Sequence, residues 1–291
     1  MGGIYWLASY PKSGNTWFRA FLCNLRADQN APIDINEIET GSIASARGWI
    51  DEVLGFDTSD LLADEVERLR PFVYQWCATY DEVSYHKIHD AYTFVAEGEP
   101  LVSREGTRGA LYIVRNPLDV AHSLANHMSC SIDEAIARMG DESFRFSGRA
   151  AFFGQVRQRV GSWSSHVASW TECTDIDCEV IRYEDMLADP FATFSRAAHF
   201  LELPSDPDRL HKAIRFASFE ELSRQEAAHG FVERPPNASA FFRRGTAGSW
   251  TEELTPAQVR RVIDDHGAMM SAHGYLDASG QPLEEAVHAV G

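Results

Sequence analysis

The chain has 291 residues, 44% of them hydrophobic, and a formal net charge of −17. A chain of this length can bury one large core, so we expect a single domain over residues 1–291 rather than two separate domains. The acidic excess argues against a nucleic-acid partner or an anionic membrane surface, because those partners attract clustered Lys and Arg. Any anionic ligand must therefore find a local basic pocket.

The sequence also allows a prediction of the cellular compartment in which the protein resides. No apolar stretch approaches the roughly 20 residues that a membrane-spanning helix needs, and the first predicted strand leaves no room for a signal peptide before it. Five cysteines are present without a C-x-x-C pair, so a disulfide framework or a zinc ribbon is not expected, and the thiols are predicted to be reduced and mostly buried. We therefore expect a cytoplasmic protein that does not associate with membranes.

Short β-rich runs bounded by turn residues alternate with helical patterns along the chain. The runs predict strands over Ile4–Tyr10, Val83–His89, Ala110–Val114 and Glu179–Tyr183. Apolar residues at helical spacing follow the first strand from Trp17 to Leu25, and they recur between Val156 and Trp170. This alternation predicts an α/β fold of three layers, with a central parallel sheet flanked by helices.

Two further helices are placed by their capping residues. In RNPLD, the Asn116 side chain can cap a helix whose first position is Pro117, where the missing N–H costs nothing. Thr255 and Pro256 repeat this arrangement. Gly274 is the expected end of the helix that they start.

The stretch SYPKSGNTW, residues 9–17, carries the first predicted strand into the first helix. A glycine-containing loop there presents unpaired backbone N–H groups at the positive end of the helix dipole, where an anion is stabilised. Lys12 adds a positive charge, Gly14 allows close approach of the backbone, and the Ser13 and Thr16 hydroxyls add donors. The order differs from the G-x-x-x-x-G-K-[ST] of an ATP-binding P-loop. On these residues alone, an ordinary turn is as good an interpretation as a phosphate cradle.

A second strand-to-helix junction, LYIVRNPLDVAHSL, favours phosphate binding. Arg115 stands at the end of the predicted strand, and Ser123 follows eight residues later, about two helical turns along. An arginine at that place can hold a second phosphate through two parallel hydrogen bonds.

These junctions resemble those of the cytosolic-type sulfotransferases, which use 3′-phosphoadenosine 5′-phosphosulfate (PAPS) and release 3′-phosphoadenosine 5′-phosphate (PAP). SYPKSGNTW resembles their 5′-phosphosulfate loop YPKSGTTW, and RNPLDVAHS resembles their 3′-phosphate segment RNPKDVAVS. A third string, FFRRGTAGSW at residues 241–250, is similar to their late RKGxxGDW motif, with Arg244 for lysine and Ser249 for aspartate. The GNTW variant is similar to bacterial members that sulfate natural products such as glycopeptides. The resemblance implies a P-loop-like fold.

The resemblance also implies cofactor-binding residues, carried over by position. It assigns the 5′-phosphosulfate to Lys12, Ser13, Gly14, Asn15 and Thr16. It assigns the 3′-phosphate to Arg115, Ser123, Arg243, Arg244 and Gly245. It assigns the adenine base to Trp17, Tyr183 and Phe219. For Phe219, plain core packing is an equal alternative.

SYHKIHDAY, residues 84–92, ends the second predicted strand. Its KIH resembles the family's KTH, which implies that His89 is the general base and that Lys87 contacts the transferring sulfuryl group. From its place in the predicted cradle, Lys12 is expected to neutralise charge on the leaving oxygen. Histidine suits the task, because its ordinary pKa of about 6.5 leaves it able to accept a proton at neutral pH.

Strand geometry separates the residues of this string by face. Lys87 and His89 share one face, whereas Ile88 points to the core. His86 faces away from His89, which argues against a H-x-x-H metal pair, and the family's chemistry needs no metal. Asp90 is the reserve candidate for the base.

The sequence leaves the acceptor open. Its pocket is expected from three weakly patterned segments that we predict to be loops or small helices covering the site, near residues 28–75, 125–155 and 225–242. Aromatic residues in this part of the chain suit an apolar acceptor and core packing equally well: Phe144, Phe146, Phe152 and Phe153. The Trp163 and Trp170 pair is predicted to be core, and Glu252 and Glu253 are predicted to lie on a solvated face.

We therefore expect a sulfotransferase acting on a hydroxyl or phenol of a small-molecule or natural-product acceptor. Two alternatives remain: a noncatalytic PAP- or nucleotide-binding module and an ATP-dependent small-molecule kinase. The kinase lacks a correctly ordered P-loop, and a binding module has no reason to keep Lys12, Lys87 and His89 together. The family's dimerisation string is mostly changed around Thr251 and Arg260, so the oligomeric state is left open.

Overall fold

The structure is a computed structural model that describes residues 2–146, 154–234 and 240–283. Its strands are β1 (Gly3–Ser9), β2 (Val83–Ile88), β3 (Thr107–Val114), β4 (Arg145–Phe146), β5 (Gln158–Arg159) and β6 (Cys178–Arg182). Its helices are α1 (Asn15–Ala27), α2 (Arg47–Leu54), α3 (Ala63–Cys77), α4 (Pro117–Met128), α5 (Ile132–Met139), α6 (Trp163–Thr171), α7 (Tyr183–Ala188), α8 (Pro190–Phe200), α9 (Pro207–Phe216), α10 (Phe219–His229), α11 (Trp250–Glu253) and α12 (Pro256–Ala272). None of these helices combines the length and the apolar character that crossing a bilayer requires.

The main sheet has four parallel strands in the order β2-β1-β3-β6. β1 pairs with β2 from Gly3 opposite Val83 to Ala8 opposite Ile88. Every residue of β1 is buried, as expected for an inner strand of a sheet that carries helices on both faces. The predicted α/β fold with a parallel sheet flanked by helices is confirmed.

The chain folds into two compact units. The first comprises residues 1–10, 40–112 and 141–180, and the second comprises residues 11–39, 113–140 and 181–291. Most of the main sheet belongs to the first unit, and the last two residues of β3 and of β6 belong to the second. The single domain that the sequence suggests stays a prediction.

Three strands end one residue earlier than predicted. β1 ends at Ser9, β2 at Ile88 and β6 at Arg182. Tyr10 and His89 therefore lie just beyond their strands, and Tyr183 is the first residue of a helix, not a strand residue. Residues at such strand ends belong to turns, which is where binding groups are commonly carried.

The helix predicted from Val156 is wrong over its first half, because α6 begins only at Trp163. Gly161 has a φ of 67°, a left-handed conformation that an α-helix cannot contain. The Ser162 side chain then caps α6 by accepting a hydrogen bond from Ser165 N. By contrast, the caps predicted at Asn116 and Thr255 are confirmed, since each side chain accepts a bond from the first turn of its helix.

The segment 28–75 contains more helix than predicted. α3 spans 15 residues, although only loops or small helices were expected there. Two large aromatic side chains lie on its outer face, with Phe72 exposed to 63% and Trp76 to 58%. Apolar residues on both faces of a helix hide the period that identifies it in a sequence.

The core of the first unit contains a buried polar network. The Tyr112 hydroxyl donates to His166 Nδ1 at 2.8 Å, and His166 Nε2 donates to His89 O at 3.1 Å. Burial lowers the pKa of His166 to about 4, so the ring is neutral and can accept on one nitrogen while it donates from the other. Trp163 and Trp170 are fully buried, which confirms them as core residues.

A buried ion pair fixes the turn that follows β2. Arg70 on α3 donates to both carboxylate oxygens of Asp90, at 3.0 and 2.7 Å, and both side chains are 0% exposed. Asp90 also accepts from Arg159 N at 2.8 Å. An acceptor molecule cannot reach a carboxylate enclosed in this way, so Asp90 is not a candidate for the base.

The second unit is centred on an aromatic cluster beneath α1. The Phe21 and Phe194 rings are 4.3 Å apart, and Phe18 stacks on Phe194 at 5.9 Å.

All five cysteines are free, but only Cys23 and Cys77 are buried, so the prediction that most thiols are buried is wrong. Two of the others, Cys173 and Cys178, flank the exposed turn that precedes β6.

Asp90→Asn is expected to lower the free energy of unfolding by about 3 to 5 kcal/mol, because the Arg70 charge would stay buried without its counter-charge. Urea denaturation followed by circular dichroism measures the loss. Asp64→Asn is the matched control, since Asp64 pairs with Arg157 while its own side chain is 73% exposed, and it should lose much less. Equal losses in the two variants would show that the buried pair does not stabilise the turn.

Candidate functional site

The loop between β1 and α1 has the backbone conformation of an anion-binding concavity. Lys12 has a φ of 72° and Gly14 a φ of 98°, and left-handed residues interspersed in such a loop turn successive N–H groups inward. α1 starts at Asn15 without a side-chain cap. Ser13 is 1% exposed, and its hydroxyl has no hydrogen-bond partner among the described residues. A buried donor beside a helix N-terminus fits a phosphate or sulfate oxygen.

Tyr183 packs directly under this loop. A Cβ atom on Gly14 would lie 2.6 Å from Tyr183 Cδ2, so only glycine fits at that position. The Trp17 ring meets Tyr183 edge-on with centroids 5.7 Å apart. The Arg115 guanidinium lies 4.2 Å from the Tyr183 centroid, and burial raises the pKa of the Tyr183 phenol, which stays protonated. The sequence-predicted residues Gly14, Trp17, Arg115 and Tyr183 are thus brought together.

Arg115 ties the loop to the late segment 241–250. Its Nη1 donates to Lys12 O at 3.1 Å, and its Nη2 donates to Thr246 O at 3.3 Å. Its Nε is buried and has no partner among the described residues. A guanidinium with an unused donor beside a cradle of N–H groups can still donate a hydrogen bond to a phosphate oxygen.

The turn after Arg115 depends on a buried carboxyl group that the sequence did not reveal. Glu184 accepts from Asn116 N at 2.9 Å and from the Tyr275 hydroxyl at 3.0 Å. Burial raises the pKa of Glu184. Because Glu184 follows Tyr183 directly, it fixes the Tyr183 backbone and the start of α4 against each other.

Asp119 holds the late segment on α4. Its carboxylate is 1% exposed. It accepts from Gly248 N at 2.7 Å, from Ser249 Oγ at 3.1 Å and from Trp250 N at 3.0 Å. Its partners lie 129 to 131 residues away in the sequence, so no local pattern announces the contact.

Phe219 lies against the backbone of the late segment. A Cβ atom on Gly245, whose φ is 62°, would lie 2.2 Å from Phe219 Cδ2. Position 245 therefore requires glycine for space as well as for conformation. Phe219 remains partly exposed, and its contact with an adenine stays a prediction.

Lys12 lies close to an aromatic ring of the same late segment. Its Nζ is 4.3 Å from the Phe241 centroid, a distance at which a cation is attracted to a ring face. The buried Glu226 carboxylate accepts from Phe241 N at 2.7 Å and from Phe242 N at 2.9 Å. These bonds fix the backbone that carries the ring.

Two carboxylates contact cations and donors of this site. Glu233 accepts from Thr16 Oγ1 at 3.2 Å and from Arg19 Nη1 at 2.6 Å. Glu253 pairs with Arg244 at 2.7 Å, and its side chain is only 25% exposed. The prediction that Glu253 lies on a solvated face is therefore wrong. The run of acidic residues in the sequence does not reveal that Arg244 pairs with this carboxylate.

In the first unit, the residues of the KIH string alternate as predicted. Lys87 and His89 are partly exposed, whereas Ile88 and His86 are buried. His86 Nδ1 donates to Ser42 O at 2.8 Å, and its ring stacks on Trp49 with centroids 4.4 Å apart. Burial lowers the pKa of His86. Its role is structural.

His89 is held in one tautomer. Its Nδ1 lies 2.8 Å from Ser9 O and 3.3 Å from Ser9 Oγ. A carbonyl oxygen only accepts, so Nδ1 carries the hydrogen, and in the neutral ring the lone pair is on Nε2. Since His166 also donates to His89 O, both the ring and the backbone of His89 are fixed.

The remaining sequence-predicted residues are less constrained. Ser123 on α4 is half-buried. Phe144 is buried and Phe146 partly so, which favours core packing for the former. Phe152 and Phe153 lie outside the described residues.

Comparison with known proteins gives a consistent result. A family model described as "Sulfotransferase domain" matches residues 4–273. Sulfotransferase 2A2 of Mus musculus is 24% identical over 256 residues, covering 87% of this chain and 79% of that protein. Flavonol 3-sulfotransferase of Flaveria bidentis is 24% identical over 269 residues, covering 88% and 78%. The mouse sulfotransferase SULT7A1, solved in complex with PAP, shares the fold with a TM-score of 0.59 at 20% identity, covering 96% of this chain and 86% of that one.

Asp119→Ala is expected to release the late segment from α4, because two backbone N–H groups would lose a charged acceptor. Amide hydrogen exchange at Gly248 and Trp250 should accelerate by roughly ten- to a hundredfold, the equivalent of a bond to a charged group. Asp133→Ala removes an exposed carboxylate that binds Gln258 on α12, and it should leave those two amides unchanged. Unaltered exchange in Asp119→Ala would contradict the assignment.

Proposed function

Because the chain belongs to the sulfotransferase domain family, it is an enzyme that transfers a sulfuryl group from PAPS to a hydroxyl group, and we propose that His89 removes the proton of that hydroxyl. We further propose that the acceptor is a small molecule or natural product. The observation that carries the role of His89 is the bond from Nδ1 to Ser9 O. This bond leaves Nε2 as the basic nitrogen.

Bound PAPS would supply the sulfuryl group and a phosphate leaving group. On the 5′ side, the loop from Lys12 to Thr16 would hold the phosphosulfate through backbone N–H groups and the Ser13 hydroxyl. The orphaned Ser13 Oγ supports this role. Thr16 would have to exchange its bond to Glu233 for one to the ligand.

On the 3′ side, Arg115 would bind a phosphate with the buried Nε that has no partner among the described residues. Ser123, Arg243, Arg244 and Gly245 complete this proposed set. Trp17, Tyr183 and Phe219 would contact the adenine, and aromatic stacking on a base contributes roughly 1 to 3 kcal/mol.

Charge neutralisation falls to two lysines. Lys12 would stabilise the oxygen that leaves with the phosphate, and Lys87 would stabilise the sulfuryl oxygens during transfer. Both are partly exposed, so each can reach a ligand. With a general base and positioned cations, the chain's own residues provide the two functions that sulfuryl transfer requires.

The small-molecule acceptor is supported by the relatives. One of them is named for a flavonol, which bears its hydroxyls on an aromatic ring system. The sequence identity to that protein is 24%, so the compound class stays open.

Ligand binding followed by turnover tests the function. PAP at about a hundred times its Kd should stabilise the protein by roughly 2.7 kcal/mol, whereas ADP, which lacks the 3′-phosphate, should stabilise it much less. Radiolabelled PAPS and a panel of hydroxyl acceptors should then give labelled product together with PAP. Binding without turnover across the panel would favour the noncatalytic module, and ATP consumption would favour the kinase.

His89→Asn is expected to lower kcat by about 10² to 10⁴ while leaving PAP affinity intact, since the base contacts the acceptor's proton rather than the nucleotide. The acceptor must be an alcohol, because an ionised phenol needs no base. In the wild-type protein kcat/KM should fall on the acid side as the imidazole protonates, and this limb should vanish in the variant.

The control for this substitution is His211→Asn, which changes an exposed histidine that stacks on Phe191. It should keep both the rate and the acid limb. A near-normal kcat for His89→Asn with an alcohol acceptor would show that another group takes the proton.

A further inference from the structure

A histidine that the proposed mechanism does not use lies beside Arg243. His122 is on α4, immediately before Ser123, and is 7% exposed. Arg243 Nη2 contacts both ring nitrogens and lies 3.0 Å from Nδ1. A guanidinium can only donate, so the imidazole that accepts from it is neutral. In the family segment RNPKDVAVS, valine occupies the position of His122.

One carboxylate faces this histidine and both neighbouring arginines. Glu253 lies 3.7 Å from His122 Nε2 and 2.7 Å from Arg244 Nη2. It also lies 4.0 Å from Arg243 Nη2. The carboxylate of the exposed Glu252 pairs with Arg244 at 3.2 Å. Of the residues that the structure describes, Glu253 is therefore the carboxylate that lies close to all three groups that can carry positive charge.

A phosphate bound by Arg243 and Arg244 needs the same donors that Glu253 engages. A phosphate monoester carries a charge of about −1.5 to −2 near neutral pH and has three acceptor oxygens. A carboxylate has one charge and two oxygens. Phosphate can thus replace Glu253 and still have charge left to interact with the adjacent imidazole.

We propose, on the premise that the enzyme binds PAPS, that the 3′-phosphate displaces Glu253 and that His122 takes up a proton from solvent to become a further ligand of that phosphate. His122 then changes from an acceptor for Arg243 to a donor for the ligand. Arg243, no longer bonded to the imidazole, turns its Nη2 donor to the phosphate as well.

The surroundings of His122 support the direction of this change. Burial lowers the pKa of His122. The charges of Arg243, Arg244 and Arg115 lower this pKa further, whereas the charge of Glu253 raises it. A phosphate dianion at the site brings more negative charge than the carboxylate it replaces, so the pKa rises on binding. When the pKa of a group rises on binding, the affinity for the ligand increases as the pH falls below the pKa of the group in the complex. The affinity stops increasing once the pH is below the pKa of the group in the free protein.

Isothermal titration calorimetry with PAP tests the proposal, in buffers of different ionisation enthalpy between pH 6 and pH 8.5. Near pH 6.5 the wild-type protein should take up roughly half a proton more per PAP than His122→Val does, the excess being the protonation of one imidazole. The affinity ratio of wild type to variant should grow to about tenfold toward pH 6, as expected for one charge-assisted hydrogen bond. Protons that the phosphate itself takes up on binding cancel in the difference between the wild type and His122→Val, because both proteins bind the same ligand.

Glu253→Gln tests the displaced carboxylate and should tighten PAP binding by roughly three- to tenfold, since the phosphate no longer competes with a charge. Glu105→Gln, a change at an exposed glutamate of the first unit, controls for net charge. His211→Gln controls for the loss of a histidine and should keep the wild-type proton uptake.

The outcomes separate this proposal from the function on which it rests. If PAP does not bind, PAPS use itself is wrong. If PAP binds and PAPS is turned over, but His122→Val shows the wild-type proton uptake and pH dependence, the role of His122 is overturned while the function stands. Weaker PAP binding by Glu253→Gln would overturn the displacement.

Discussion

The second unit depends on one guanidinium. Arg115 lies over the Tyr183 ring and donates to the carbonyl oxygens of Lys12 and Thr246, which joins three stretches that are far apart in the sequence. Both carbonyls belong to connecting segments between helices and strands, so the arginine stabilises backbone conformations as well as offering charge. Lys12 has a left-handed φ of 72°, which is unfavourable for a residue with a side chain, and the bond from Arg115 helps to hold that conformation.

The turn of the first unit that carries His89 is organised differently, around neutral hydrogen bonds. His89 is held by a main-chain carbonyl on one side, and its own carbonyl is held by the buried neutral His166 on the other. Neither of these two partners carries a charge. The charged pair of Arg70 and Asp90 supports the next residue instead. This arrangement fixes the orientation of the His89 ring and of its backbone.

The sequence was informative where the structure is local. Strand-to-helix junctions, the caps at Asn116 and Thr255, and the alternation around His89 all follow from residues within a few positions of one another. The same local reasoning did not predict helix α3, because the exposed aromatic residues of this helix remove its amphipathic pattern. The supports of the site were also missed, because Asp119, Glu184 and Glu253 act on partners that only the tertiary fold brings near.

These missed carboxylates bear on how an acidic protein can select a polyanion. With a net charge of −17, the chain repels anions at long range, so its basic cradle must act at short range. In the proposed PAPS site, Glu233 contacts Thr16 and Arg19 on the 5′ side, and Glu253 contacts Arg244 on the 3′ side. A singly charged anion gains nothing by replacing a carboxylate of equal charge. In the proposed PAPS site, a ligand with a dianionic group on each side would gain, so the carboxylates would favour ligands that carry both.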